Sequence, residues 1–386
     1  MNYILMNKNI KILTFNYDEA TNAIIKIQNN HHPDFAPIGI IEPQIGITSK
    51  ALNDWWKHRA IPSSRHGLRE VLDEMHISSS VELLKYSFGL SLSDQYWIKV
   101  EHSDIQWSDI NFFENEFSED MGKLLMGRIE YDHYLNMCSP DNSSDGNLRK
   151  RWRIIHNKRY LIKDGNPFTN QEPFNEVIAT KLYQRILDPD DYVPYTLLKD
   201  GDDYYSCCET MVTTDEELVP AYYIDRIIKT RTNDPLYDHY LEACNRLGIP
   251  NIQQKIDKML VCDYILANSD RHYRNFGAIR NAETLEWIKA APIFDSGSSL
   301  WATTPTKRLG ESYQSKPFKR NPEEQLDLVK DLSWLDEKNL IGFDQDVQEI
   351  LKQNPLCDDG RNIEIGKLVK QRIQHIIDRK SKGIGY

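Results

Sequence analysis

The 386-residue sequence predicts a two-lobed α+β protein, in which a β-rich small lobe precedes a helical large lobe and a mixed α/β accessory region precedes both. Three observations carry that expectation. Nine turn-forming residues follow one another from Ser139 to Asn147 and mark a break. From Gly146 onward the pattern reads loop, strand, strand, helix, strand, strand. The chain then turns helical, interrupted by one short hairpin. The expected units are 1–138, 139–212 and 213–386.

Composition bounds the function. Lys and Arg number 47 against 58 Asp and Glu, and the net charge of −11 disfavours whole-surface attraction to nucleic acid or anionic membrane. Hydrophobic residues at 40% and a mean hydropathy of −0.59 describe an ordinary globular protein. No apolar run approaches the roughly 20 residues of a membrane helix. The start, Met1 to Leu13, is broken by Asn and Lys rather than built as a signal peptide, so a cytoplasmic location is expected. The six cysteines form no C-x-x-C pair, which points to reduced, mostly buried thiols rather than a zinc site or a disulfide framework.

In the accessory region the sequence predicts a strand at Ile10 to Phe15, a Trp-rich helix at Leu52 to Arg59 and a helix ending near His76. Polar-aromatic runs follow at Leu90 to Ile98 and at Asn111 to Phe113. In the small lobe, Trp152–Ile155 and Arg159–Lys163 are β-favouring runs around the turn His156-Asn157-Lys158. Phe174, Ile178, Leu182 and Ile186 recur every four residues as the apolar stripe of a helix closed by Pro189. Val193–Leu198 and Tyr204–Cys208 form a second hairpin across residues 199–203.

In the large lobe, Ile252, Ile256, Leu260 and Tyr264 share one face of a helix that ends at Asn268. A hairpin of Phe276–Arg280 and Leu285–Ala290 follows, and helices are expected over Pro322–Trp334, Asp344–Gln353 and Ile363–Arg379.

The sharpest chemical constellation is Asn268-Ser269-Asp270-Arg271-His272-Tyr273-Arg274-Asn275-Phe276-Gly277, followed twenty residues after Asn275 by Asp295 in Phe294-Asp295-Ser296-Gly297. Phosphoryl transfer needs a carboxylate to orient the attacking hydroxyl and oxygen ligands to hold Mg²⁺ on nucleotide phosphates. Asp270 suits the first task, and Asn275 and Asp295 the second. The same Asp-x4-Asn spacing, followed by a hairpin and a second Asp, occurs in protein kinases. Taken alone, Asp270 and Asn275 read equally as turn residues between a helix and a strand. His272 reads as a brace of this loop more than as a proton acceptor, and Arg271 as a brace for an anion.

The small lobe offers complementary parts. Lys163 ends a strand, where its ammonium can reach phosphates, and Glu176 thirteen residues later can pair with it, with Glu172 as a competitor. The Ser143-Ser144-Asp145-Gly146-Asn147 turn can wrap phosphates with backbone N–H groups. Glu209 and Met211, leaving the last small-lobe strand, stand where a lobe connector presents backbone groups to an adenine.

Asn268-x-Asp270-Arg271-His272-x-x-Asn275-Phe276-Gly277 with Asp295 resembles the signature of the HipA-like serine/threonine kinases. The resemblance spans roughly residues 139 to 350 and implies a protein-kinase-like fold, ATP and Mg²⁺ as cofactors, and a protein Ser or Thr hydroxyl as acceptor. It assigns the catalytic base to Asp270, Mg²⁺ to Asn275 and Asp295, the ATP-contacting amine to Lys163, and the phosphate loop to residues 143–150. Some members phosphorylate their own loop serine, which falls on Ser143 or Ser144. Many are toxins restrained by an antitoxin-type protein partner.

Two other readings remain open in the sequence. Phosphoinositide kinases share Asp-Arg-His-x-x-Asn with a later Asp-x-Gly, which keeps a lipid or small-molecule acceptor as the alternative. A kinase-shaped binding module without catalysis would instead use Leu52–Arg59 and Arg65 as a surface for a partner or nucleic acid, although paired Trp residues are more often core.

Overall fold

The computed structural model describes residues 1–229 and 235–383. The chain opens with β1 (Asn2–Asn7), β2 (Ile10–Asp18) and β3 (Ala23–Asn30), followed by a small pair, β4 (Ile41–Glu42) and β5 (Gly46–Ile47). Helices α1 (Ser49–Arg59) and α2 (Leu68–Glu74) lead to β6 (Tyr96–Val100), and α3 (Trp107–Ile110) and α4 (Asp120–Leu125) complete this part. The first sheet is antiparallel in the order β3-β2-β1-β6. Its buried face carries Leu5, Leu13, Phe15 and Ile98, and α1 packs Leu52, Trp55 and Trp56 against it.

That packing overturns one sequence reading. Trp55 and Trp56 are 6% and 0% exposed and Arg65 is 3% exposed, so Leu52–Arg59 and Arg65 do not form the outward-facing contact surface of a binding module. The gain from burying two indoles outweighs anything they would contribute at the surface.

The second sheet comprises β7 (Lys150–Ile155), β8 (Lys158–Lys163), β9 (Thr196–Asp200) and β10 (Asp203–Glu209) in the order β7-β8-β10-β9. His156 and Asn157 both have positive φ, which is the two-residue turn that matches strand twist and sets the β7–β8 register. Helix α5 (Glu172–Ile186) lies between the two hairpins in sequence, and its stripe of Phe174, Ile178, Leu182 and Tyr183 enters the core of the helical lobe.

The third sheet is β11 (Glu216–Pro220), β12 (Gly277–Asn281) and β13 (Trp287–Ala290), in that order. Around it stand α6 (Ala221–Ile224), α7 (Leu236–Leu247), α8 (Ile252–Ile265), α9 (Pro322–Leu326), α10 (Phe343–Leu351) and α11 (Asp359–Ser381). Strands β1, β3 and β11 and helix α7 have no counterpart in the sequence reading. The helix expected over Pro322–Trp334 stops at Leu326. Asp331 receives the N–H and hydroxyl of Ser333 and gives its own N–H to Asp257, and such local side-chain bonds compete with helix. The three apolar residues beyond it, Val329, Leu332 and Leu335, are still buried, but from irregular turns.

The accessory region is wrapped against both lobes rather than set apart. Asn7 donates to Ala282 O at 3.0 Å, Gln95 donates to Thr213 O and Glu216 O, and Leu218 N donates to Ser93 O. All six cysteines are free, four of them buried. Among the described residues, no helix is long and apolar enough to cross a membrane.

Candidate active site

Helix α8 ends at Ile265, and the loop that follows is folded around one buried guanidinium. Arg271 is fully buried. Its Nε and Nη2 donate to the two oxygens of Asp263 at 2.8 and 2.9 Å, Nη2 also donates to Ser296 Oγ at 3.0 Å, and Nη1 donates to Asn275 O at 2.8 Å and to Phe294 O. All five donors of the fork are satisfied. Burial works against the charge, but Asp263 overrides it and holds the guanidinium above its ordinary range. Arg271 therefore carries no free face for an anion, as the sequence reading had it. It ties the 268–276 loop to the 294–296 segment, and two carbonyls sharing one nitrogen lie within about 6 Å of each other.

On that frame Asn275 donates its Nδ2 to Asp270 O at 3.0 Å, which leaves Oδ1 as its remaining side-chain acceptor. Asp270 N is fixed by Asn268 Oδ1 at 3.0 Å, and its side chain is 40% exposed. His272 Nδ1 accepts from Arg274 N at 3.2 Å, and this bond assigns the proton to Nε2, which stands 3.9 Å from Asp270 Oδ2. The imidazole is placed to brace the loop.

Asp295 sits in the left-handed region at φ 56°, a conformation Asp tolerates better than most residues. Its Oδ1 is 2.5 Å from Lys163 Nζ, and the same amine is 2.6 Å from Glu176 Oε1. Glu176 Oε2 accepts from Ser296 N at 2.9 Å, closing a circuit from the small-lobe sheet through α5 to the segment of Asp295. Glu172 points elsewhere, to Asn166. Burial works to lower the Lys163 pKa, but Asp295 and then Glu176 hold it well above the ordinary lysine range. Burial alone would raise the Asp295 carboxyl. Lys163 and then Lys150 override that and drive it far below the usual carboxylate range. Asn175 on α5 secures the following turn by donating to Gly297 O and Ser299 O at 2.8 and 2.7 Å.

The loop ahead of β7 is a buried turn. Ser143 Oγ donates to Leu90 O at 2.7 Å, and Ser144 Oγ donates to Asp141 O at 2.8 Å. Arg65 reaches in from the accessory region, donating to Ser144 Oγ, Ser144 O and Gly146 O at 2.7, 2.6 and 2.9 Å. Both serine hydroxyls are thus turned into the protein's own framework. Gly146 has φ 96°, and a Cβ there would run into Lys150 Nζ, which brings the Lys150 amine directly beneath the loop. Lys150 faces Lys163 across the β7–β8 pair. Its amine is buried, with Asp295 and Asp145 among the charges around it, and burial followed by Arg65 pushes its pKa down to about 7.

Glu209 pairs by its side chain with Lys158 at 2.9 Å, on the surface. Thr210 N donates to Arg159 O on the β8 side, so strand alternation turns the Glu209 backbone toward the open side. Met211 is half-buried beside Phe294, next to Asp295 in the chain.

A cavity of about 290 Å³ opens beside Asp270, lined also by Ser269, Glu172, Trp301, Thr304 and Lys316. Among the described residues, no three His, Cys, Asp or Glu side chains gather to hold a metal by themselves. One carboxylate and one amide match what Mg²⁺ takes from protein when phosphates supply the rest of its shell. The buried pair of lysines fits phosphate oxygens as well, because like charges facing each other across a strand pair need an anion between them.

No family model matches this chain, and no curated protein matches it significantly in sequence. Among solved structures, a chain of the Shewanella oneidensis MR-1 toxin-antitoxin complex of HipA, HipB and operator DNA superposes with a TM-score of 0.57 at 12% identity, over 98% of this chain and 98% of that one. The chain has a HipA-like, protein-kinase-like fold. A Helicobacter pylori proinflammatory kinase, CtkA, matches at a TM-score of 0.46 and 18% identity, over 59% of this chain and 91% of that one. In this HipA-like fold the sequence reading missed Arg65, Asp263 and Lys316 and left Lys150 unassigned. Lys150 was open to discovery, since a two-residue turn at His156-Asn157 sets it opposite Lys163. Arg65 and Lys316 carry no local signal, being 79 residues from Ser144 and 46 from Asp270.

Proposed function

We propose that this protein is an ATP- and Mg²⁺-dependent kinase that transfers the γ-phosphoryl group to a Ser or Thr hydroxyl of a protein. The single observation carrying this reading is Lys163 bound at once to Glu176 and Asp295, at 2.6 and 2.5 Å. That joins the amine and helix carboxylate of a kinase small lobe to the carboxylate of its metal segment, the condition for an assembled kinase site. Lys163 and Lys150 hold the phosphates from the sheet side, and the Gly146 turn covers them. Asn275 and Asp295 are the Mg²⁺ ligands. Bound Mg²⁺ neutralises the oxygens of the β- and γ-phosphates. Asp270 aligns the acceptor hydroxyl and takes its proton, while Arg271 and His272 keep that carboxylate in place. Catalysis by positioning and charge neutralisation is what phosphoryl transfer requires.

The likeness along the whole chain to a component of a toxin-antitoxin complex supports a toxin role restrained by an antitoxin-type protein, and the expected location is the cytoplasm. The acceptors include the protein's own loop. Because Ser143 and Ser144 are hydrogen-bonded inward, their phosphorylation requires the 140–147 turn to open.

The test is incubation of the purified chain with γ-labelled ATP and Mg²⁺, followed by mass spectrometry. Phosphate incorporation that vanishes in Asp270→Asn is expected. Equal labelling of both proteins contradicts the assignment of Asp270.

A further inference from the structure

The segment after Asp295 returns one cation to the acceptor side of the site. Lys316 Nζ lies 2.7 Å from Asp270 Oδ1, with both side chains nearly half exposed. An open ion pair of this kind contributes only about 0–1 kcal/mol and does not by itself fix a lysine there. The backbone does. Gln325, buried, accepts from Phe318 N and Lys319 N at 3.0 and 3.1 Å through Oε1 and donates Nε2 to Lys316 O. Ser315 closes the same turn, its N–H on Arg320 O and its hydroxyl on Lys319 O, each at 2.8 Å. Phe318 plugs into the rings of Tyr237, Tyr240, Tyr273 and Phe276 at centroid distances of 5.2 to 6.1 Å. Tyr273 and Phe276 belong to the loop of Asp270, so the turn that carries Lys316 is fastened to the element that carries the carboxylate. Both residues line the same cavity.

Resting on the phosphotransfer reading, we infer that Lys316 is a further catalytic residue, the large-lobe cation that neutralises the γ-phosphoryl group in transit. An ammonium one hydrogen bond from the carboxylate that holds the acceptor hydroxyl stands within about 6 Å of the attacking oxygen. Charge on the group in transit spreads over three equatorial oxygens. Lys163 and Lys150 approach them from the sheet side, and Lys316 approaches from the opposite one. As the acceptor hydroxyl takes its place on Asp270, the Lys316 ammonium passes to an equatorial oxygen. The acceptor oxygen bonds to the γ-phosphorus, and its proton goes to Asp270. The bond from that phosphorus to the bridging oxygen breaks, its electron pair leaving on ADP. Lys316 keeps its proton throughout.

The experiment compares full-length wild type, Lys316→Met and Lys316→Arg, with Mg²⁺-ATP as donor and both water and the protein itself as acceptors. Nucleotide affinity is measured separately with a non-hydrolysable ATP analogue, and thermal unfolding checks the fold. Lys316→Met is expected to lower kcat about 10²–10³-fold, the range for losing one preorganised donor. Analogue affinity and unfolding midpoint should stay unchanged, and Lys316→Arg should recover part of the rate. Wild-type turnover in Lys316→Met overturns the inference, and faster turnover does so by making Lys316 a plug on Asp270. Weakened analogue binding places Lys316 in the nucleotide site and also overturns it. Wild type that releases no γ-phosphate under any of these conditions removes the phosphotransfer reading itself.

Discussion

Lys150 and Lys163 face each other across the β7–β8 pair, yet only Lys163 is met by carboxylates at contact distance. The two amines share a sheet face and a buried setting but not a protonation behaviour. Lys163 is held charged by Asp295 and Glu176, whereas Lys150 is pushed down to about 7.

That contrast makes nucleotide affinity pH-dependent in a stated direction. Bound phosphates favour the charged Lys150 amine and raise its pKa. Well below pH 7 the amine is already charged in the free protein and affinity is at its maximum. Above pH 7 the free amine is neutral and binding must take up a proton, so affinity falls by up to about tenfold per pH unit until the bound-state pKa is passed. Calorimetry with a non-hydrolysable ATP analogue in two buffers of different ionisation enthalpy reads the uptake directly. Lys150→Arg should flatten the slope relative to wild type, because guanidinium stays charged. Identical slopes in the two proteins contradict the assignment.

Removing the Lys163 amine should cost stability as well as turnover. In Lys163→Met, Glu176 and Asp295 are left as like charges in a buried site without their shared partner. Breaking a buried pair in this way costs about 3–5 kcal/mol. Urea denaturation should show that loss near neutral pH and a partial recovery at low pH, where Glu176, its pKa already raised by burial, takes up a proton. Stability equal to wild type at neutral pH contradicts the network.

Arg65 gives the accessory region a stake in the site. Burial draws its pKa down to about 10, so it remains charged at neutral pH, and its three hydrogen bonds all end on the Ser144–Gly146 turn. Arg65→Met should loosen the turn, raising KM for ATP about tenfold or more, as losing one or two charge-assisted hydrogen bonds would, with kcat less affected. Steady-state kinetics with ATP varied checks the split. An unchanged KM leaves the turn independent of Arg65.

Much of this organisation was legible in local pattern. The β7–β8 hairpin could be read from its turn, α5 from a four-residue apolar repeat, and the loop of Asp270 and Asn275 from spacing. What escaped depends on pairing over distance. Strand β1 offers only the short apolar run Ile4-Leu5-Met6, which becomes a strand because β2 and β6 flank it. Strand β11 pairs only with β12, some sixty residues away in the chain. Arg271 invited an anion-binding role because an arginine beside an aspartate looks available. Only the fold shows its five donors already spent on Asp263, Ser296 and two carbonyls. Trp55 and Trp56 are core because β1 and β2 supply the surface they cover.

The central claim is that Asp270, Asn275, Asp295 and Lys163 converge on one magnesium-bound nucleotide. The most direct measurement is calorimetric titration of wild type, Asp295→Asn and Asp270→Asn with a non-hydrolysable ATP analogue, each with Mg²⁺ and with EDTA. Wild type should bind far more tightly with Mg²⁺, Asp295→Asn should lose that dependence, and Asp270→Asn should keep it. No nucleotide binding by wild type, or binding indifferent to Mg²⁺, contradicts the account.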